Sequence, residues 1–565
     1  MDLISALLGS KAVVGAVAAI GLLGVLIVIH EFGHFLFAKI FGVGVERFSV
    51  GFGPRIFSVT FRGTEYRLAW FPLGGYVRMV GDDPFEEQPT TPNGDSLMQK
   101  AAWKRLLIAF AGPLFNLLLP IALFSGLYLA GAPEPTTLVG IVSDDSAAAR
   151  AGIREGDKLL AVNGKDVTYF SELSDRLSQV EPGGTVPVTV QRGQERLELP
   201  VTLKVDTVYN EWGEPMQRNV LGVSPTAARP IIGVDASPSS PAYQAGLRSG
   251  DRVVKLNGQP VAWQFELRTL LQNPDLQTLE LEVLRGKEPL KFSVTRRMEP
   301  IPVEGAAETS LAMETLALQQ PGAPWGLFAQ ELFIKEAVVG RPAAKAGLRA
   351  GDMLVSVNGR PIARWPDLKK SIEAPLGEKK QLQVLREGKI RVFEMVPETV
   401  TIRLPAGHSR QEGQIGIRPA ESYERDEAPL QLSVAEALGR GVKETVAITL
   451  AGGRILWRVV TGEIPLADSL GGPISMVTLA AESAWISIFQ YVRMMALLSV
   501  NLALVNLLPI PLLDGGHILF HLLEMLRGRP VSMRFREIAQ QVGLIFLFML
   551  MAFALANDVR MNWLR

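Results

Sequence analysis

The chain of 565 residues has no cysteine. Disulfides, thiolate metal sites and a cysteine nucleophile are therefore excluded, and the redox compartment stays undecided. Charge bias is also lacking. Fifty-seven Lys and Arg balance 57 Asp and Glu, which leaves no global case for nucleic-acid binding. Histidine is scarce, five in all, so two at a meaningful spacing carry weight. Long apolar runs are present, and they cluster at the two ends of the chain.

Four stretches are long enough for a bilayer core of ~30 Å, which needs about 20 apolar residues. They are Val13 to about Ala38, Leu106 to Ala132, Met494 to Leu513, and about Ile538 to Asn557. A cleaved signal peptide is the alternative for the first. The weakly charged N-terminus and the lack of a small-residue cleavage site argue against it. Basic residues run from Lys39 to Arg105 between spans one and two, and Arg527, Arg529, Arg534 and Arg536 lie between spans three and four. Both loops read as cytoplasmic by the positive-inside rule. Both termini and the long middle region then face the other side, the periplasm of a Gram-negative cell.

His30-Glu31-Phe32-Gly33-His34 closes the apolar run Val13 to Ile29. Residues four apart share a helix face, so both imidazoles can reach one metal ion. Glu31 points about 100° away around the axis and is free to hold a water. Two His ligands, a Glu base and a third ligand from elsewhere make a zinc-hydrolase arrangement. The alternatives are a chance match or histidines satisfied by core hydrogen bonds. Three ionisable groups at membrane depth weigh against both, because such groups are expensive there unless they function.

The third span ends in Asn501 to His517, where Pro509 and Pro511 interrupt the helix before Asp514-Gly515-Gly516. Asp514 falls at the same membrane side as His34 and can complete a His-His-Asp site with one open position. An aspartate capping a turn is the alternative, and His517 is a rival ligand. Gly42 to Gly81 alternates apolar and polar residues, as in Thr64 to Trp70, and reads as short strands in hairpins. Such an edge can pair with an extended substrate strand or serve structure alone. Asp82 to Asp95 is acidic and Pro-rich and reads as a loop. In the second span Gly112-Pro113 and Asn116 stand out: small residues allow close helix packing, and an intramembrane Asn seeks a partner.

From about Leu138 to Pro419 the chain repeats itself. Ala-Gly-apolar, two residues, then Gly-Asp occurs at Ala151–Asp157, Ala245–Asp251 and Ala346–Asp352, at intervals of 94 and 101 residues. A strand and an Asn-Gly turn follow each copy, at Asn163, Asn257 and Asn358. The repeats resemble PDZ domains, which bind extended peptides between a strand and a helix. Leu138–Ile141, Ile231–Val234 and Leu332–Ile334 are the strands expected to line those grooves. Pro429 to about Pro465 has apolar residues at helical spacing with interspersed charges, which suits an amphipathic helix on the membrane.

Taken with both motifs, the chain resembles the site-2 protease family of intramembrane zinc metalloproteases. The features are His30 to His34, Gly51-Phe52-Gly53-Pro54, Gly74 to Val77, Gly112-Pro113 with Asn116, Gly472 to Ser475, and Asn506 through Gly515. The resemblance implies a bacterial inner-membrane protein with Zn²⁺ on His30, His34 and Asp514 and with Glu31 as the base. Asn506, with Asn501 and with Gly74, Gly75 and Tyr76, would hold the unwound substrate backbone. Substrates would be single-span membrane proteins already trimmed by another, site-1 protease, such as an anti-sigma factor or a remnant signal peptide. Membrane lipid is the other partner. The bacterial pattern has two PDZ domains; this chain has three.

The expected fold is a multi-pass α-helical membrane protein of four spans, with three periplasmic α+β PDZ domains and a small membrane-associated β-hairpin region. Boundaries are expected at 1–137, 138–228, 229–328, 329–420 and 421–565. A PDZ scaffold with a vestigial metal site predicts peptide binding without cleavage, and the intact Glu31 argues against it. A transporter predicts repeat symmetry among the spans, which the sequence lacks.

Overall fold

A computed structural model describes residues 11–82, 95–209, 215–297, 299–304, 310–311, 316–318, 320–373, 375–403, 409–420, 423–469 and 472–563. The expected loop over Asp82–Asp95 falls, but for its ends, outside the described residues. Contacts divide the chain into two units. One is built mainly from the residues up to Ala132 and from Pro429 on, and the other mainly from the residues between.

In the first unit, helix α1 spans Lys11–Ile40 and α2 spans Ala102–Leu129. Past the middle region come α3 (Val434–Val460), α4 (Pro473–Ile486), α5 (Ile488–Asn506), α6 (Asp514–Arg527) and α7 (Met533–Trp563). Among the described residues, four helices are long and apolar enough to cross a membrane: α1, α2, α5 and α7. The third differs from the expected Met494–Leu513. It starts earlier, at Ile488, and stops at Asn506. Pro509 and Pro511 have no N–H to continue the ladder, so the chain turns irregularly until Asp514 opens α6. Helix α4 was not anticipated. Its Gly-Pro start is capped from α7: the buried Asp558 carboxylate accepts from Gly472 N, Ile474 N and Ser475 Oγ at 2.9, 2.8 and 2.5 Å. A carboxylate there answers the free N–H groups of the helix start. The amphipathic stretch is α3, opened by Ser433 and Glu436 in a capping box.

Helix α2 is the centre of this unit, with α1, α3, α5 and α6 all packed on it. Pro120 lies inside α2 and cannot donate to the carbonyl of Asn116. Ser499 of α5 takes that place, its Oγ donating to Asn116 O at 2.7 Å. Strands β1 (Val45–Phe61) and β2 (Thr64–Met79) follow α1. They fold back so that four segments lie side by side: Val50 pairs with both Gly75 and Leu68, and Leu68 also with Phe57. The expected short strands are thus one compact hairpin sheet, and β2 lies against α1.

The second unit contains three copies of one α+β pattern. Each has a one-turn helix (Ala147–Arg150, Pro241–Gln244, Pro342–Lys345) and then a strand (Lys158–Val162, Arg252–Leu256, Met353–Val357). A longer helix follows (Phe170–Ser178, Gln264–Leu271, Trp365–Glu373), and then a hairpin. Asn163, Asn257 and Asn358 have φ of 51°, 48° and 49°, each followed by a glycine at positive φ, as a type I′ turn requires.

The Gly-Asp of the repeat has a structural cause. Asp157, Asp251 and Asp352 are almost wholly buried and receive both arms of Arg192, Arg285 and Arg386 from the hairpin. Each carboxylate also accepts a backbone N–H, from Arg154, Arg248 and Arg349, at 2.8–2.9 Å. The strand beside the longer helix of the third copy differs from expectation. In the third copy, Trp365, Leu368 and Ile372 face Gly413 to Ile417 across an open groove. The expected strand sits one position further out, as Ile334–Ala337 pairs with Ile417–Pro419 on the side away from the helix. Strand order in a sheet is set by long-range pairing, which a local repeat does not encode.

Breaking one of these bonded pairs leaves a buried charge uncompensated. Asp352→Ala is expected to destabilise the third copy by about 3–5 kcal/mol. Denaturant unfolding with limited proteolysis checks it; a loss below about 1 kcal/mol contradicts the assignment.

Candidate metal centre

His30 and His34 lie one turn apart on α1, both buried. Asp514 is the first residue of α6, where the helix N-terminus favours an ionised carboxylate. The structure brings the three together. His30 Nε2 lies 3.1 Å from one Asp514 oxygen, His34 Nε2 lies 3.4 Å from the other, and the two Nε2 atoms are 3.3 Å apart. A tetrahedral ion with bonds of about 2.0–2.1 Å needs ligand atoms about 3.3–3.4 Å apart. The triangle therefore has the size of a zinc face. His517, one turn along α6, is not part of this group among the described residues.

The outer nitrogens show how the rings are held. His34 Nδ1 faces the carbonyl of Ile108 at 2.8 Å, so that nitrogen carries the proton and Nε2 presents its lone pair. His30 Nδ1 faces the amide of Asn116 at 3.1 Å, through Nδ2. Asn116 is fully buried and its Oδ1 has no partner. A half-turn of the amide puts Oδ1 on Nδ1–H and resolves both problems. The orphaned oxygen is then the acceptor that a metal-binding His30 requires. Both imidazoles are set for Nε2 coordination, and two nitrogens with a carboxylate are a donor set that zinc accepts.

Glycines make the contact possible. A Cβ on Gly112 would collide with His34 Nε2 and lie 2.8 Å from His30 Cε1. A Cβ on Gly33 would strike the Ala111 carbonyl of α2. Gly515 and Gly516 let α6 start directly beneath the carbonyls of Leu507, Leu508 and Ile510.

Glu31 stands outside the triangle, on the side of the hairpin, where it accepts from the Val77 backbone. A Cβ on Gly75 would meet Glu31 Cγ at 3.3 Å and Ile27 Cγ2 at 3.2 Å, so β2 touches α1 at the base. Gly74 lies against the ring of Phe52, and Tyr76 stacks on that ring while its Oη accepts from Arg47 at 3.2 Å. Asn506 is half-buried as the last residue of α5. Asn501 is exposed, its Oδ1 near Gly452 of α3. The sequence marked Gly112 for close helix packing and Asn116 as a residue seeking a partner; that the histidines are what they meet appears only in the structure.

The collision at Gly112 is specific to the ligand atoms. Gly112→Ala is expected to cut zinc content of the purified chain to a small fraction while helix content by circular dichroism stays near the parent's. Full zinc occupancy in that variant contradicts the geometry.

A family model described as Peptidase family M50 matches residues 18–550. The chain is 30% identical over 543 residues to Protease RseP of Yersinia pestis, covering 95% of this chain and 96% of that one. It is 29% identical over 542 residues to Regulator of sigma-E protease RseP of Escherichia coli (strain K12), with the same coverage. A Ralstonia nicotianae protein named for zinc metalloprotease activity is 28% identical over 555 residues, again with that coverage. A solved PDZ domain from Listeria monocytogenes is 20% identical over 16% of this chain and 85% of its own, with a TM-score of 0.13, too small a likeness to argue from. With a match that spans nearly the whole chain and a relative 30% identical end to end, the chain belongs to peptidase family M50, the site-2 proteases, and is a zinc metalloprotease.

Proposed function

We propose that His30, His34 and Asp514 hold the zinc and that Glu31 is the general base for hydrolysis of a peptide bond inside a substrate's membrane-spanning segment. The triangle of 3.1, 3.3 and 3.4 Å carries this reading. Zinc held there supplies Lewis acidity to the scissile carbonyl and the attacking water. Glu31 takes the proton of that water and returns one to the leaving amine. A helical peptide bond is shielded by its own hydrogen bonds, so the substrate unwinds first. The β1–β2 sheet supports this step, since Gly75 sets its edge strand directly against Glu31. Gly74, Gly75 and Tyr76 would accept the extended backbone on one side, and Asn506, with Asn501, on the other.

The substrate class is single-span membrane proteins trimmed beforehand by a site-1 protease. Relatives named as regulators of sigma-E support an anti-sigma factor in that role. The protein sits in the inner membrane of the cell. The three α+β copies are PDZ domains, which we place with both termini in the periplasm, where the array screens substrates by size.

Glu31→Gln keeps the shape of the side chain and cannot take the proton. It is expected to retain zinc and lose at least about a hundredfold in cleavage of a single-span substrate. Substantial residual turnover rejects Glu31 as base. Asp514→Asn should lower zinc content and activity, and His517→Ala should spare the metal; zinc lost only in the second variant reassigns the ligand. Replacing residues 138–420 by a short linker is expected to leave cleavage of a trimmed substrate intact and to release cleavage of the untrimmed one. Loss of both in a folded, zinc-loaded deletion favours peptide capture over screening.

A further inference from the structure

The two halves of the metal site belong to segments nearly 500 residues apart, and α6 is not steered by α5, because the irregular Leu507–Leu513 separates them. Something else must fix the direction of α6. Its far end carries Glu524, whose Oε1 receives Arg105 Nη2 of α2 at 2.6 Å. Both side chains are buried, 7% and 12% exposed. Arg105 is itself anchored, its Nε donating to Lys100 O at 3.1 Å. The other oxygen of Glu524 lies 3.8 Å from His521 Nδ1 and 4.0 Å from Arg536 Nη2 of α7. Among the described residues, Glu524 thus lies against the guanidinium groups of Arg105 and Arg536 and the imidazole of His521. Without it the buried Arg105 guanidinium loses its carboxylate partner, and an uncompensated buried charge is costly.

Arg105 also stands one turn before Ile108, whose carbonyl orients His34. One stretch of α2 thus holds the histidine helix at Ile108 and the aspartate helix at Arg105. On α6, Asp514 and Glu524 are ten residues apart and project within about 80° of each other around the axis. A roll of α6 of about 20° at a side-chain radius of about 5 Å moves the Asp514 carboxylate by nearly 2 Å, the length of a metal–ligand bond.

We propose that Arg105 and Glu524 are a positioning pair, which sets the roll and tilt of α6 so that Asp514 meets His30 and His34. The inference rests on the zinc-site reading above. The direct test is zinc affinity of the full-length, detergent-purified chain, measured by competition with a chelator and read beside its melting temperature. Arg105→Ala and Glu524→Ala are each expected to weaken zinc about tenfold or more, the range for groups that orient metal ligands. The double variant should be no weaker than the singles, since both remove one contact. Arg105→Lys keeps the charge and should recover most of the affinity. Asp558→Asn, which weakens the α4 cap, should lower the melting temperature and leave zinc affinity near the parent's. Should Arg105→Ala not fold, Glu524→Gln reports the same loss. Parent-like zinc affinity in the Arg105 and Glu524 variants overturns the proposal, as does an equal loss in Asp558→Asn. A parent chain that binds no stoichiometric zinc instead overturns the ligand assignment itself.

Discussion

Three ionisable side chains, the proposed zinc ligands, meet within about a bond's tolerance, and burying them without partners would be prohibitive. That constraint organises the membrane unit. Helix α2 meets it by serving both halves of the site at once. Gly112 lets the two imidazoles lie against its backbone, Ile108 and Asn116 fix the tautomers, and Arg105 ties down the helix that begins with Asp514. Pro120 belongs to the same logic: it frees the Asn116 carbonyl, and Ser499 fills the gap, so α5 is registered against the residue that orients His30. The apolar helices supply a dry surround, and these few polar contacts give it one arrangement.

The convergence of His30, His34 and Asp514 was legible because its signals are local. Two histidines four apart define one helix face, and prolines just before Asp514 mark where a helix must break. Both statements need only the backbone ladder. The identity of the platform was not legible in the same way. Gly112 read as a packing residue and Asn116 as one in search of a partner; the atoms they meet lie more than 75 residues away on another helix and were not legible. Helix α4 was hidden behind Gly472-Pro473, read as a break; the carboxylate of Asp558, 84 residues beyond Ile474, is what lets a helix start there. The early end of α5 is a milder case, since Pro509 and Pro511 pointed to irregular backbone but not to its length.

In the second unit the repeat itself was visible and its chemistry was not. The sequence marks the Gly-Asp pair only as part of the repeat, yet the aspartate is the buried acceptor for an arginine 34 or 35 residues on. The same bond recurs in all three copies, so the repeat encodes a charge-assisted tie between its first strand and its hairpin. In the third copy the strand beside the long helix was misjudged because it arrives at the end of the copy, after the hairpin. Sequence order and spatial order differ here.

The central claim is the identity of the ligands. Zinc-edge X-ray absorption on the purified chain reads them directly, in number and type. The expected result is two imidazole nitrogens with light oxygen donors at about 2.0–2.1 Å, reduced to one imidazole in His34→Ala. A third imidazole in the parent chain, or a spectrum unchanged by His34→Ala, would contradict the account.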